Sequence, residues 1–266
     1  MQVDDIRPFT IDVPQAALDD LKTRLANTRW PEKETVDDWD QGVPLAYAQE
    51  LAAWWRDHYD WRRIEARLNS HPNFLATIDG LDIHFLHIRS DNPAARPLVL
   101  THGWPGSVIE FLDVVEPLSA DYHLVIPSLP GYGFSGKPVE AKWGVEQIAA
   151  AWNALMVALG YGRYFAQGGD WGSAVTCAIG GRHADRCAGI HVNMIVGLAR
   201  SGDDDRPQRR RKGLSCAFRV VPRQGQWLFD PAGDAAADHR LCSRRFARRA
   251  DVLDRREMPW LDRLRP

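Results

Sequence analysis

The chain has 266 residues, 45% of them hydrophobic and 10% aromatic, which suits one substantial globular domain with an accessory segment and excludes a disordered polypeptide. Its formal charge of −2 conceals an asymmetry: 16 Lys and Arg stand against 7 Asp and Glu after residue 205, and 17 against 28 over residues 1–205. No run of about 18 apolar residues is present to span a bilayer, and Met1–Pro8 is charged without the apolar stretch of a signal peptide, so a cytoplasmic chain with no membrane span is expected.

Residues 8–68 read as helical. Val13, Leu18, Leu21 and Leu25 recur near one helical turn, with Asp12 expected as N-cap ahead of a first-turn Pro14. Arg29, Trp30 and Pro31 interrupt the pattern, and a second helix follows over Pro44–Tyr59. Its Leu51, Trp54 and Trp55 are expected to pack, since tryptophans at helical spacing more often form core than line a ligand site. From Phe74 the period becomes that of strands. Phe74–Ile78 and Asp82–Ile88, joined by Asp79-Gly80, predict a hairpin. His84 and His87 are three apart on one strand and so face opposite sides, a poor metal pair.

Pro97–Leu100 is a short buried-type strand running into Thr101-His102-Gly103-Trp104-Pro105-Gly106-Ser107 and then a helical stretch, Val108–Leu118. A His-Gly-X-Pro turn after a core strand suits an oxyanion loop, with a backbone N–H near Trp104 partnering one at Trp171 and His102 shaping the loop. The strand His123–Pro127 leads to the glycine-rich Leu129–Pro138, where ligands of open α/β sheets sit. Val145–Leu159 forms a long helix with Ile148, Trp152, Leu155 and Leu159 on one face.

Next comes Gln167-Gly168-Gly169-Asp170-Trp171-Gly172-Ser173, between a β-run (Tyr164–Ala166) and a helix-compatible run (Ala174–Ile179). Asp170 thus falls on a sharp strand-to-helix turn flanked by small residues, the setting of a nucleophile elbow. A carboxylate there attacks an sp3 carbon to form an ester; the plainer alternative is a turn in which Asp170 caps the helix. Four cysteines, Cys177, Cys187, Cys216 and Cys242, lack metal spacing and read as reduced thiols. No metal is expected. The β-loop-helix alternation implies an α/β fold with a mostly parallel sheet and flanking helices, preceded by a helical segment.

Together, H-G-W-P-G-S, P-G-Y-G-F-S-G-K-P and G-G-D-W-G-S, in this order at strand ends, resemble the epoxide hydrolases of the α/β-hydrolase fold. The F-T-I-D-V-P and T-R-W-P stretches resemble the N-terminal region of the microsomal and juvenile-hormone type, and the resemblance covers about residues 5–200. It implies Asp170 as catalytic nucleophile, an oxyanion site at His102, Gly103, Trp104 and Trp171, a small-molecule epoxide as substrate, diols as products and no cofactor. The expected organisation is 1–92 as the N-terminal segment, helices then hairpin, 93–205 as the first half of the core, and 206–266 as an Arg-rich divergent tail.

The family also uses two lid tyrosines, an acid and a water-activating histidine, and none is found in the sequence. No tyrosine follows Tyr164, the only histidine after His191 is His239, and 96 residues follow Asp170. The fold is therefore expected to be incomplete and the chain inactive. Repeated Arg pairs (Arg244-Arg245, Arg248-Arg249, Arg255-Arg256) suggest a frame change near Asp205, since codons allowed for Gln226–Ala250 yield a lid-like run when read from the second base. A haloalkane dehalogenase shares the Asp nucleophile and following Trp, but the N-terminal helices argue against it. A non-enzymatic remnant with a basic tail is the other alternative, although no nucleic-acid partner is expected. The sequence does not reveal the oligomeric state.

Overall fold

A computed structural model describes residues 1–194, together with the backbone of residues 217–220 and 227–230. The expectations for the rest of 206–266, including His239, Cys216, Cys242 and the altered frame, lie outside the described residues. The chain divides into two compact units: Thr10–His71, and Met1–Phe9 together with the chain from Pro72 on.

The smaller unit holds α1 (Gln15–Ala26), α2 (Leu45–His58) and α3 (Trp61–Asn69). In α1 the periodic Leu18, Leu21 and Leu25 are the half-buried positions, as their spacing predicts. The predicted cap is corrected. Pro14 is the N-cap residue and no side chain caps the helix; the Ala17 N–H turns instead to the Pro14 carbonyl at 2.9 Å. α3 is capped by Asp60, whose carboxylate accepts from the Arg62 N–H at 2.9 Å. Glu65 then accepts from the Val13 N–H at 2.8 Å and the Trp61 Nε1–H at 3.0 Å, and it pairs with Arg62, pinning the segment before α1 to α3. Of the α2 residues expected to pack, Trp54 is half-buried, but Leu51 and Trp55 are exposed. Helical spacing locates an apolar stripe without saying how much of it another element covers.

In the larger unit, the strands β1 (Val3–Phe9), β2 (Asn73–Ile78), β3 (Leu81–Ile88), β4 (Arg96–Thr101), β5 (Tyr122–Pro127), β6 (Tyr164–Gly168), β7 (Cys187–Val192), β8 (Ala217–Val220) and β9 (Trp227–Asp230) form a sheet in the order β1-β2-β3-β5-β4-β6-β7-β9-β8. The pairs β5–β4, β4–β6 and β6–β7 are parallel, while β1–β2, β2–β3, β3–β5, β7–β9 and β8–β9 are antiparallel. β1 was not anticipated. It pairs only with β2, bulges between Asp4 and Arg7 and is largely exposed, so it lacks the alternation that marks a half-buried strand.

The expected hairpin forms with Asp79 and Gly80 both at positive φ (47° and 81°), the backbone a two-residue turn of right-handed twist requires. β3 hydrogen-bonds to β5 from Phe85 to Ile88, which makes the hairpin part of the sheet. β4 and β5 end in four consecutive buried residues each, as expected of strands covered on both faces.

A 3-10 turn (Val108–Phe111) and α4 (Leu112–Ser119) follow β4, and α5 (Val145–Ala158) and α6 (Trp171–Arg182) flank β6. The main core joins Ala149, Trp152, Leu155 and Met156 of α5 and Val175 and Ile179 of α6 to Val99, Val125, Tyr164 and Ala166 of the sheet. Fully burying one such aliphatic side chain contributes about 1.5–3 kcal/mol. The packing therefore holds α6 hard against the ends of β4 and β6, where the elbow lies.

Candidate active site

β6 ends at Gly168 and α6 begins at Trp171, so the turn is made by Gly169 and Asp170 alone. Asp170 has φ 51° and ψ −126°, a backbone conformation that costs a non-glycine residue on the order of 1–3 kcal/mol. Its neighbours explain why the chain accepts it. A Cβ at Gly168 would overlap the Gly172 carbonyl, and one at Gly172 would overlap the Thr101 and His102 carbonyls, so helix and strands approach as closely as only glycine allows. Ser173 then locks the turn, its Oγ donating to the Gly168 carbonyl at 2.9 Å and its N–H to the Asp170 carbonyl at 2.9 Å. Asp170 is the N-cap residue of α6 but its side chain does not cap the helix, so the simple helix-capping alternative is set aside.

The carboxylate faces the turn after β4. The Trp104 N–H donates to Asp170 Oδ1 at 2.7 Å, and the neighbouring Trp171 N–H also favours the ionised carboxylate. These two N–H groups, Trp171 first and Trp104 second, hold the Asp170 carboxyl below the usual aspartate range, against a smaller opposing effect of burial. Gly103 makes room for it, since a Cβ there would collide with the Asp170 side chain. The two indole side chains project away from this contact and are exposed, Trp104 by 66% and Trp171 by 56%. The arrangement can direct two backbone donors at an oxyanion formed on the carboxyl carbon of Asp170.

His102 is buried, and both ring nitrogens are engaged. Nε2 accepts from the Leu129 N–H at 3.0 Å, which leaves the proton on Nδ1 to donate to the Gly103 carbonyl at 3.0 Å. Burial depresses its pKa, partly opposed by the Gly103 carbonyl, so the ring stays neutral and joins the turn to the glycine-rich loop. That loop uses Gly131 (φ 83°) and Gly133 (φ 51°), and the Gly136 N–H anchors it to the Asp82 carbonyl at 2.7 Å. Tyr132 of the loop meets His102 edge-on at 5.5 Å.

The other histidines singled out serve packing. His84 Nδ1 meets Ser128 Oγ and Nε2 meets Asn73 Oδ1, each at 2.9 Å, and burial pushes its pKa down to about 4. His87 Nε2 meets the Tyr161 hydroxyl at 2.8 Å. Cys177 is exposed and Cys187 buried, both as free thiols.

One residue near the site escaped sequence reasoning. The Glu110 carboxylate lies directly against Gly106, where a Cβ would overlap it, and just beyond, Ser107 Oγ accepts from the Ile109 N–H at 3.3 Å. The signal that could have found it, Ser107-Val108-Ile109-Glu110, is legible as S-x-x-E.

The sequence matches two family models, epoxide hydrolase N terminus over residues 6–111 and alpha/beta hydrolase fold over residues 96–212. A Stigmatella aurantiaca protein whose epoxide hydrolase name is itself an inference is 55% identical over 200 residues, covering 71% of this chain and 45% of that protein. Juvenile hormone epoxide hydrolase 1 of Ctenocephalides felis is 35% identical over 199 residues, 71% of this chain and 43% of its own. Among solved structures, Aspergillus niger epoxide hydrolase superposes with a TM-score of 0.67 at 36% identity, over 74% of this chain and 54% of the other. The match spans less than half the length of either relative. No helix among the described residues is long and apolar enough to cross a membrane.

Proposed function

Because residues 6–212 belong to the epoxide hydrolase family of the α/β-hydrolase fold, we propose that Asp170 is the nucleophile of a cytoplasmic chain that opens small-molecule epoxides. A carboxylate oxygen of Asp170 attacks a ring carbon, the ring C–O bond breaks, and the leaving alkoxide takes a proton from water. The result is a hydroxyalkyl ester on the protein. Water added to the ester carbonyl would then develop negative charge on its oxygen, facing the Trp104 and Trp171 N–H groups, and collapse would release a diol and restore the carboxylate.

The single observation that carries this reading is the Asp170 carboxylate at an elbow of positive φ, held by the Trp104 N–H at 2.7 Å. The second half of the reaction needs a base to activate water, and His102 is not free to act as one, since both its ring nitrogens are occupied. General-base catalysis typically contributes about 10²–10⁴-fold. The ester is therefore expected to form once and to hydrolyse slowly.

Incubation with styrene oxide, followed by intact-mass measurement, peptide mapping and diol assay, tests both halves. One adduct located on Asp170 and absent from Asp170→Asn supports the nucleophile; no adduct, or adducts elsewhere only, refutes it. Sustained diol turnover would refute slow hydrolysis while leaving the nucleophile in place.

A further inference from the structure

The Trp104 N–H reaches Asp170 from a turn, Gly103–Ser107, that has to be held in place by something other than the carboxylate it binds. Three observations identify the brace. The Ser107 N–H, at the far end of that turn, favours the ionised Glu110 carboxylate. That carboxylate also lies directly against Gly106, where a Cβ would overlap it. The Ser107 hydroxyl meanwhile accepts from the Ile109 N–H, so turn and following helix are closed on each other. Gly106 and Ser107 are thus held two and three residues from the donor that contacts Asp170.

We propose that Glu110 is a positioning residue for Asp170: by bracing Gly106 and Ser107 it keeps the Trp104 N–H on the Asp170 carboxylate. The proposal deepens the assignment of Asp170 and rests on it for its catalytic meaning, though not for its structural content. The charge arrangement is compatible with it. Desolvation first, and then the negative charge of Asp170, raise the Glu110 pKa, while the Trp171 and Trp104 N–H groups lower that of Asp170. As pH rises, Asp170 therefore ionises while Glu110 is still protonated, and a neutral glutamine is a close mimic of Glu110 through the Asp170 titration.

The test follows the Asp170 carboxyl by carbon NMR as a function of pH, in the full chain and without any epoxide. Glu110→Gln keeps a polar group of the same size against Gly106 and is expected to leave the Asp170 titration where it is. Glu110→Ala removes the brace, and the Asp170 pKa is expected to rise toward that of an ordinary aspartate as the Trp104 bond weakens. Gly106→Ala reaches the same end by displacing the carboxylate rather than deleting it, and it serves if Glu110→Ala does not fold. A residue that merely stabilised the helix would alter the melting temperature without moving the Asp170 titration. An unmoved titration in both Glu110→Ala and Gly106→Ala overturns the proposal, as does an equal rise in Glu110→Gln. Failure of Asp170 to react with epoxides would remove the nucleophile and leave this result standing.

Discussion

Three glycines of α6 face three different surroundings, so one substitution made at each position tests the packing behind the elbow. At Gly172 an added methyl meets backbone, the Thr101 and His102 carbonyls, and Thr101 is tied into the parallel ladder opposite Gly168. Neither partner can rotate away. Overpacking typically costs about 1–3 kcal/mol, and two rigid backbone overlaps place Gly172→Ala at or above about 3 kcal/mol. At Gly180 the methyl would come within 3.1 Å and 3.3 Å of Ile190 side-chain carbons, which can yield slightly, so a cost near the lower end, about 1 kcal/mol, is expected. Gly181 has nothing within 4 Å and is exposed, and there the gain in helix propensity dominates, stabilising by roughly 0.5–1 kcal/mol. Urea denaturation followed by circular dichroism reads all three, with the shift in midpoint at constant slope giving the change in stability. The same samples report the elbow, because in Gly172→Ala a displaced α6 should also weaken reaction at Asp170. Equal midpoints for Gly172→Ala and Gly181→Ala would refute the close approach of α6 to β4 on which the site depends.

The buried His84 makes stability depend on pH. Its pKa is about 4 in the fold against an ordinary 6.5, so the unfolded chain binds the extra proton first and the native state loses stability as pH falls from 6.5 to 4. The shift corresponds to about 3 kcal/mol at full extent, and urea midpoints at pH 7.5 and pH 4.5 should differ accordingly; a flat profile across that window would contradict neutral burial. Asp60→Ala removes the side-chain cap of α3 and is expected to cost about 1 kcal/mol, measurable as a lower denaturation midpoint. Glu65→Ala should cost more than Asp60→Ala, because it leaves the Val13 N–H and Trp61 Nε1–H without their acceptor; a smaller effect would show that those donors find other partners.

Much of the architecture is local chemistry that a reader of the residues can follow. The Asp79-Gly80 turn, the apolar runs of β4 and β5, the face of α5 and the spacing of glycines about Asp170 each depend on a few neighbouring side chains, and all stand where their pattern puts them. The three strand-end motifs were legible for the same reason, since glycines that admit close backbone approach are a direct mark of geometry. Tertiary structure decided what depends on distant partners. β1 is a strand only because β2 offers it a ladder, and the hairpin joins the sheet only because β5 pairs with β3. Leu51 and Trp55 have the right spacing for a core but find no cover, a fact no helical period contains. The loop-shaping role expected of His102 depends on a distant partner too, since Leu129, 27 residues on, occupies Nε2 while the adjacent Gly103 carbonyl takes Nδ1. The pairing of Trp104 with Asp170 across 66 residues of chain is likewise a product of the folded sheet, which brings the ends of β4 and β6 side by side.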